Sequence, residues 1–208
     1  MRFILLFFCL IYFFGNCSSQ IPAQIFGGNE GIEYNFLWFK DFDTQAKVSF
    51  FNFTSFAIDY DDQNQNAYEI YQVAIYNLTK QWGFAGGGRY TGDEFYPLVA
   101  VSFQTQTKDL YLNVFPSVQY FMNLREFGYS LFGLLFYQPK INETWKVFTQ
   151  LTFEPLYGAE GHIYSYQQLR LGLEYKNLIQ FGIGANWEQF GRSFALSQNY
   201  GLFVRKEF

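Results

Sequence analysis

Strict alternation of apolar and polar residues marks the C-terminal third of the chain. In Tyr166 to Tyr175, one face holds Leu169, Leu171, Leu173 and Tyr175, and the other holds Gln168, Arg170, Gly172 and Glu174. In Ile179 to Glu188, one face holds Ile179, Phe181, Ile183, Ala185 and Trp187, and the other holds Gln180, Gly182, Gly184, Asn186 and Glu188. A period of two indicates strands. The short turn 176–178 therefore joins a predicted β-hairpin with one apolar face and one polar, glycine-rich face.

Nine further segments are predicted as strands with less strict alternation. They are approximately 31–40, 47–60, 67–78, 82–90, 96–106, 109–122, 126–137, 144–155 and 198–208. Turn-forming residues separate them, and no helical period appears. This regular spacing predicts an all-β, single-domain fold, either a barrel or a sandwich.

The N-terminus has the composition of a secretory signal. Arg2 precedes an unbroken apolar run from Phe3 to Phe14, and small or polar residues follow up to Ser19. The run is shorter than the roughly 20 residues of a membrane-spanning helix. We expect residues 1–19 to be a cleaved signal peptide and 20–208 to form the mature domain. The alternative is a lipoprotein acylated at Cys17, although Asn16 fits that processing poorly.

Composition restricts the class of protein further. Both cysteines lie in the predicted signal segment, so the mature chain has no disulfide and no thiolate metal site. The net charge of -4 argues against a nucleic-acid partner. Aromatic residues make up 24% of the chain and charged residues only 15%, a balance that favours a barrel whose outer surface faces lipid.

The last strand also alternates, and its apolar stripe ends on a C-terminal aromatic. The stripe holds Tyr200, Leu202, Val204, Lys206 and Phe208. It resembles the closing strand of small Gram-negative outer-membrane β-barrels, although Lys206 stands where an aromatic residue is commoner. The resemblance implies residence in the cell outer membrane, with contacts to outer-membrane lipid and lipopolysaccharide. It also implies that Phe208 is the signal recognised by the barrel-assembly machinery, and it leaves the oligomeric state open.

Strand count and sidedness follow from that class. Single-chain bacterial barrels have an even number of strands, so the eleven segments become twelve if Ala23 to Gly28 adds a strand, or ten if two weak segments merge. We prefer twelve. With the C-terminus in the periplasm, we expect long extracellular connections near 160 and 193 and a tight periplasmic turn near 177. A soluble β-sandwich or lipocalin-like barrel is the alternative, which the inward glycines and the aromatic content disfavour.

His162, the single histidine, is the strongest candidate for catalytic chemistry. Outer-membrane lipid hydrolases place a His and a Ser on one strand face, where the Ser is the nucleophile and the His its base. Here Ser165 is three positions away, so a regular strand sends the two side chains to opposite faces. We therefore expect an exposed loop histidine and no enzyme, with a lipid hydrolase as a remote alternative. No cofactor or metal site is predicted.

Charged residues on the inward face form the predicted site. Hairpin symmetry places Lys146 opposite Glu174 and Gln150 opposite Arg170. It also places Arg170 beside Gly184, where room exists for the guanidinium, and Arg205 beside Gly182. These five polar residues are Lys146, Gln150, Arg170, Glu174 and Arg205. They form either a structural ion-pair network or a polar lining that selects a small solute.

Two functions follow from these alternatives. The first is a narrow channel for small solutes through a polar lumen. The second is a non-transporting structural or interaction barrel with a packed lumen and extracellular loops that bind partners. An open polar path through the barrel interior would favour the channel, and a packed interior would favour the structural or interaction barrel.

Overall fold

The computed structural model describes residues 22–43, 45–92 and 94–207, which form a closed antiparallel barrel of twelve strands. The strands are β1 (Pro22–Gly28), β2 (Gly31–Asp41), β3 (Val48–Asp59), β4 (Ala67–Asn77), β5 (Trp82–Thr91), β6 (Glu94–Gln106), β7 (Leu110–Phe121), β8 (Glu126–Tyr137), β9 (Trp145–Gly158), β10 (Gly161–Tyr175), β11 (Ile179–Phe190) and β12 (Ala195–Glu207). In this part of the chain, no helix is both long and apolar enough to span a membrane. The predicted signal peptide and the predicted assembly signal Phe208 lie outside the described residues.

Each strand pairs with its neighbours in sequence, and β1 closes the barrel against β12. The pairing of β1 with β12 runs from Pro22 opposite Glu207 to Gly28 opposite Gly201. The predicted twelfth strand at Ala23 to Gly28 is therefore confirmed, and with it the preferred strand count. Both described termini lie at one end of the barrel, which we call the terminal end. The opposite end is called the distal end.

Apolar side chains cover the outside of the barrel. Ile183, Leu202 and Val204 are 50–67% exposed, whereas the inward Arg170 and Gln180 are fully buried. A soluble β-protein has the reverse arrangement, because its apolar side chains face the core and its polar ones face water. The predicted parity of β10, β11 and β12 is thus confirmed, and the apolar exterior is that of a barrel embedded in lipid.

The lumen is filled by aromatic rings from opposite walls. Phe51 on β3 meets Phe115 on β7 with ring centroids 5.1 Å apart and Phe132 on β8 with centroids 5.4 Å apart. Tyr71 on β4 stacks on Phe132 at 5.3 Å, and Phe53 lies 5.7 Å from the same ring. All five are at most 1% exposed. Because β3 and β8 are not neighbouring strands, this aromatic cluster (Phe51, Phe53, Tyr71, Phe115 and Phe132) bridges the lumen.

The expected long connections near 160 and 193 are wrong. β9 and β10 are joined by residues 159–160 alone, and β11 and β12 by residues 191–194. Positive φ angles at Gly161 and Gly191 allow these tight turns, so the strands continue pairing to the distal end. The longest connections, 60–66 and 138–144, lie at opposite ends. Loop length therefore does not assign the two sides of this barrel.

Candidate functional site

The Arg170 side chain is the centre of the first polar group inside the barrel. Its Nη1 donates to Asn186 Oδ1 at 2.7 Å, and its Nη2 lies 3.8 Å from Glu33 Oε2. The guanidinium carbon sits 4.1 Å from the centroid of the Phe26 ring. Gln168 donates to Glu33 at 2.5 Å, so β2, β10 and β11 are connected through one buried carboxylate. A buried cation that is stacked, paired and hydrogen-bonded holds the wall in one arrangement.

Gly184 provides the space for that guanidinium, as hairpin symmetry predicts. It lies directly opposite Arg170 in the β10–β11 ladder. A Cβ at this position would come within 2.9 Å of Arg170 Cδ and within 2.9 Å of a Phe26 ring carbon. The glycine therefore allows the arginine and the phenylalanine to pack together.

We expect Gly184→Ala to lower the free energy of unfolding by about 1–3 kcal/mol, the usual effect of overpacking. The matched control is Gly86→Ala in β5, because a Cβ on Gly86 meets nothing within 4 Å. Denaturant titration of the folded barrel in detergent measures both variants. Equal stability of the two would contradict the close packing around Arg170.

The second polar group lies toward the terminal end. Lys146 Nζ pairs with Glu174 Oε1 at 2.8 Å, and Gln180 donates to the same carboxylate at 2.9 Å. Arg205 donates to Gln150 Oε1 at 2.8 Å. The structure thus brings all five predicted lumen residues into the barrel interior, in two neighbouring groups. Their part in a solute path stays a prediction.

The predicted position of Arg205 beside Gly182 is wrong. Arg205 lies opposite Gln180, and Gly182 lies opposite Phe203. The turn after β11 is centred one residue earlier than assumed, because Phe190 pairs with Ala195. The residue opposite Arg205 thus differs by two positions from the predicted one, and an even difference leaves Arg205 on the inward face. Its guanidinium carbon lies 4.8 Å from the Phe136 ring centroid and 5.4 Å from that of Phe148.

Sequence reasoning missed a third polar group around Arg89. Its guanidinium pairs with Glu69 at 3.0 Å and with Glu154 at 3.2 Å, and Glu154 is fully buried. Both Arg89 and Glu154 occupy inward positions of strands with weak alternation, β5 and β9. A charged residue inside an otherwise apolar strand was the available signal. Arg89 lies on β5 and Glu154 on β9, and these strands are not neighbours in the sheet. No local sequence pattern therefore indicates that the two charges meet.

A vestibule of about 560 Å³ opens at the distal end, above the aromatic cluster. Aromatic side chains of Phe53, Tyr164 and Tyr166 line it together with Arg89. The carboxylates in its lining are Glu30, Glu33, Asp59, Glu69 and Glu188. Arg89 is the one Lys or Arg among its described lining residues, and it is already paired. The vestibule is therefore electronegative.

The rim of the vestibule carries further negative charge. The connection 60–66 contains Asp61 and Asp62, and a short 3₁₀ helix at Gln63–Gln65 follows them. The Asn64 backbone N–H donates to the Asp62 carboxylate at 2.9 Å, which lowers the pKa of that exposed carboxyl below its ordinary value. The Asp62 side chain thus stays ionised at neutral pH. Within the described residues, no cluster of three or more potential metal ligands is present.

The expectation of an exposed loop histidine on the face opposite Ser165 is wrong. The side chain is buried at 6% exposure, and its Nε2 lies 2.7 Å from Ser165 Oγ. A β-bulge between His162 and Tyr164 inserts Ile163 as an unpaired residue. One extra residue reverses the alternation, so His162 and Ser165 share the outward face. The Gly191 carbonyl, 2.7 Å from Nδ1, orients the imidazole from the next turn.

Comparison with solved structures shows which known proteins share this fold. The NanC porin superposes with a TM-score of 0.55 at 12% sequence identity, covering 91% of this chain and 98% of that chain. The KdgM porin, solved in complex with disordered oligogalacturonate, gives a TM-score of 0.49 at 12% identity, covering 91% of this chain and 99% of that chain. The sequence matches no protein-family model and no curated protein at a significant level. The superposition on the NanC porin therefore shows that the chain has a porin-type fold.

Proposed function

We propose that the protein is a non-conducting outer-membrane barrel that binds small cationic solutes in its distal vestibule. The aromatic cluster that bridges the lumen carries this proposal. Porin-type barrels conduct through a water-filled interior, and contact between rings from opposite walls leaves no such path at this level. The packed-lumen alternative is thus favoured over the narrow channel.

The class of ligand follows from the lining of the vestibule. Its carboxylates outnumber its one arginine, and desolvated carboxylates attract amines and other cations. Tyr164 and Tyr166 line the vestibule beside these carboxylates, and aromatic rings also attract cations. The Tyr164 hydroxyl donates to Glu188 at 2.8 Å, which orients that carboxylate at the vestibule wall. A volume of about 560 Å³ is in the range of small-molecule sites.

Sidedness determines where the ligand comes from. The vestibule opens at the end opposite Pro22 and Glu207. If the termini face the periplasm, as the resemblance to outer-membrane barrels implies, the vestibule faces the cell exterior. The proposed ligands are then external cations, and outer-membrane lipid and lipopolysaccharide surround the barrel.

Calorimetric titration of the folded barrel with spermidine tests the ligand class. We expect binding to wild type and about tenfold weaker binding to Glu188→Gln, which retains the shape and loses the charge, a change worth about 1.4 kcal/mol. Glu160→Gln is the matched control, because Glu160 is an exposed rim carboxylate paired with Arg192 outside the vestibule lining. Absence of spermidine binding, or equal binding of the dianion glutarate, would contradict the proposal.

A narrow channel is the second candidate, favoured by the porin-type fold and by the polar groups around Lys146, Arg170 and Arg205. It requires the aromatic cluster to move aside. Planar-bilayer recording of the wild-type protein separates the two candidates, since stepwise conductance at physiological voltage would favour the channel.

A further inference from the structure

We propose that His162 and Ser165 are the base and nucleophile of an acyl-ester hydrolase site on the outer surface of the barrel. This activity is independent of the vestibule, because both side chains point away from the lumen. The substrate class is the acyl ester of an outer-leaflet lipid.

The hydrogen bonds of His162 determine its tautomer. Nδ1 lies 2.7 Å from the backbone carbonyl oxygen of Gly191, which can only accept a hydrogen bond. Nδ1 therefore carries the proton of the neutral ring. Nε2 is left with its lone pair, and it accepts from Ser165 Oγ–H at 2.7 Å. This is the arrangement in which a histidine removes a serine proton, with a backbone carbonyl as the orienting third group.

The bulge gives the pair its position on the barrel. Ser165 pairs with Pro155 on β9 and with Gln189 on β11, in register with the outward Leu169 and Leu171. Each residue of a tilted strand rises about 2.5 Å along the membrane normal, so Ser165 lies about 8 Å above the middle of β10. His162 lies about 15 Å above it by the same measure. If the termini face the periplasm and an apolar band about 25 Å tall is centred on the middle of β10, the pair spans the outer boundary of that band, next to the lipid headgroups.

The reaction balances with water as the only co-reactant. Ser165 Oγ attacks the ester carbonyl carbon while its proton moves to His162 Nε2. The carbon–oxygen bond to the alcohol then breaks, and Nε2 returns the proton to the leaving alcohol. Water, deprotonated by the same nitrogen, releases the fatty acid and restores the serine. Gln189 lies opposite Ser165 on the same face, at the cross-strand distance from which its amide can donate to the oxyanion.

Phe194 covers the histidine of the pair. Its ring stacks on the imidazole at 4.1 Å between centroids, while Ser165 itself is only 2% exposed. The ring belongs to the tight turn after β11 and is itself 46% exposed. The Tyr157 ring flanks the same imidazole edge-on, with centroids 5.4 Å apart. Displacing the half-exposed Phe194 ring therefore opens one side of the histidine to an acyl chain.

A lipid-tailed fluorophosphonate tests the site on the folded full chain in detergent, with labelled residues identified by mass spectrometry. We expect labelling of Ser165 in the wild type, no labelling at this strand in Ser165→Ala, and about 100-fold slower labelling in His162→Gln, since a general base contributes at least that factor. Phe194→Ala should label several-fold faster. Ser130→Ala is the matched control, because Ser130 is a buried serine bonded to Ser117 inside the barrel.

Hydrolysis of a long-chain nitrophenyl ester provides the second readout, and resistance to unfolding in unboiled gel samples verifies that each variant is a closed barrel. Loss of both activities in folded Ser165→Ala supports the proposal. Wild type without labelling or hydrolysis overturns it, and so does labelling that appears only in Phe194→Ala. Hydrolysis that persists in Ser165→Ala also overturns it. The pair would then serve only to hold the bulge.

Discussion

Arg170→Ala should lower the free energy of unfolding by about 3–5 kcal/mol. The side chain is fully buried, and its removal leaves Glu33 without its cation and Asn186 Oδ1 without its donor. It also leaves a void against the Phe26 ring, over which the guanidinium lies. Denaturant titration of the folded barrel measures the loss, and planar-bilayer recording should show no new conductance.

Arg192→Ala is the control for that measurement. Arg192 pairs with Glu160 at the distal rim, where the two side chains are 64% and 84% exposed. Exposed ion pairs contribute about 1 kcal/mol or less, so this change should be close to neutral. If Arg170→Ala were equally neutral and altered ion selectivity instead, the interior would be a wet channel.

Opening the aromatic cluster should convert a silent barrel into a conducting one. Wild type is expected to give no conductance steps, whereas Phe51→Ala combined with Phe132→Ala removes two rings that meet 5.4 Å apart across the lumen. Each truncation costs about 3–5 kcal/mol, because a buried ring leaves a cavity. The single variant Phe132→Ala, which retains more stability, should show intermediate or intermittent steps.

Phe84→Ala is the matched control for the aromatic cluster. It removes the same ring from the lipid-facing side of β5, where the side chain is 59% exposed. Conductance should not change in this variant. Steps of equal size in wild type and in Phe51→Ala/Phe132→Ala would mean that the rings do not close the lumen.

Alternation along single strands was sufficient to predict the hairpin of β10 and β11. Since its turn is short and its period strict, the pairing of Arg170 with Gly184 followed from counting residues. The pairing of Lys146 with Glu174 lies across the other turn, near 160, and followed from the assumed symmetry of that turn. The position of Arg205 did not follow, because a register across a turn depends on where the turn is centred, and Phe194 adopts a positive φ there. Registers are therefore predictable only where both the strand pattern and the turn are unambiguous.

His162 shows more clearly that residue spacing alone does not determine which side chains share a strand face. The spacing to Ser165 excludes a shared face in a regular strand, and only the bulge at Ile163 overrides it. The bulge depends on how β9, β10 and the turn after β11 pack together. The residues around Gly161 contain no pattern that predicts it. The Gly191 carbonyl that orients the ring lies 29 residues away along the chain.

The sequence by itself determined the all-β class, the lipid-facing surface and the inward polar face of the last strands, because these depend on a two-residue period and on composition. Only the tertiary structure decided whether the lumen is open. Phe and Tyr occupy both faces of β3, β7 and β8, so alternation cannot tell an inward ring from a lipid-facing one. Barrel closure brings Phe51 and Phe132 from opposite walls into contact. It also pairs Glu33 with Arg170 and Arg89 with Glu154, from strands that are distant in sequence.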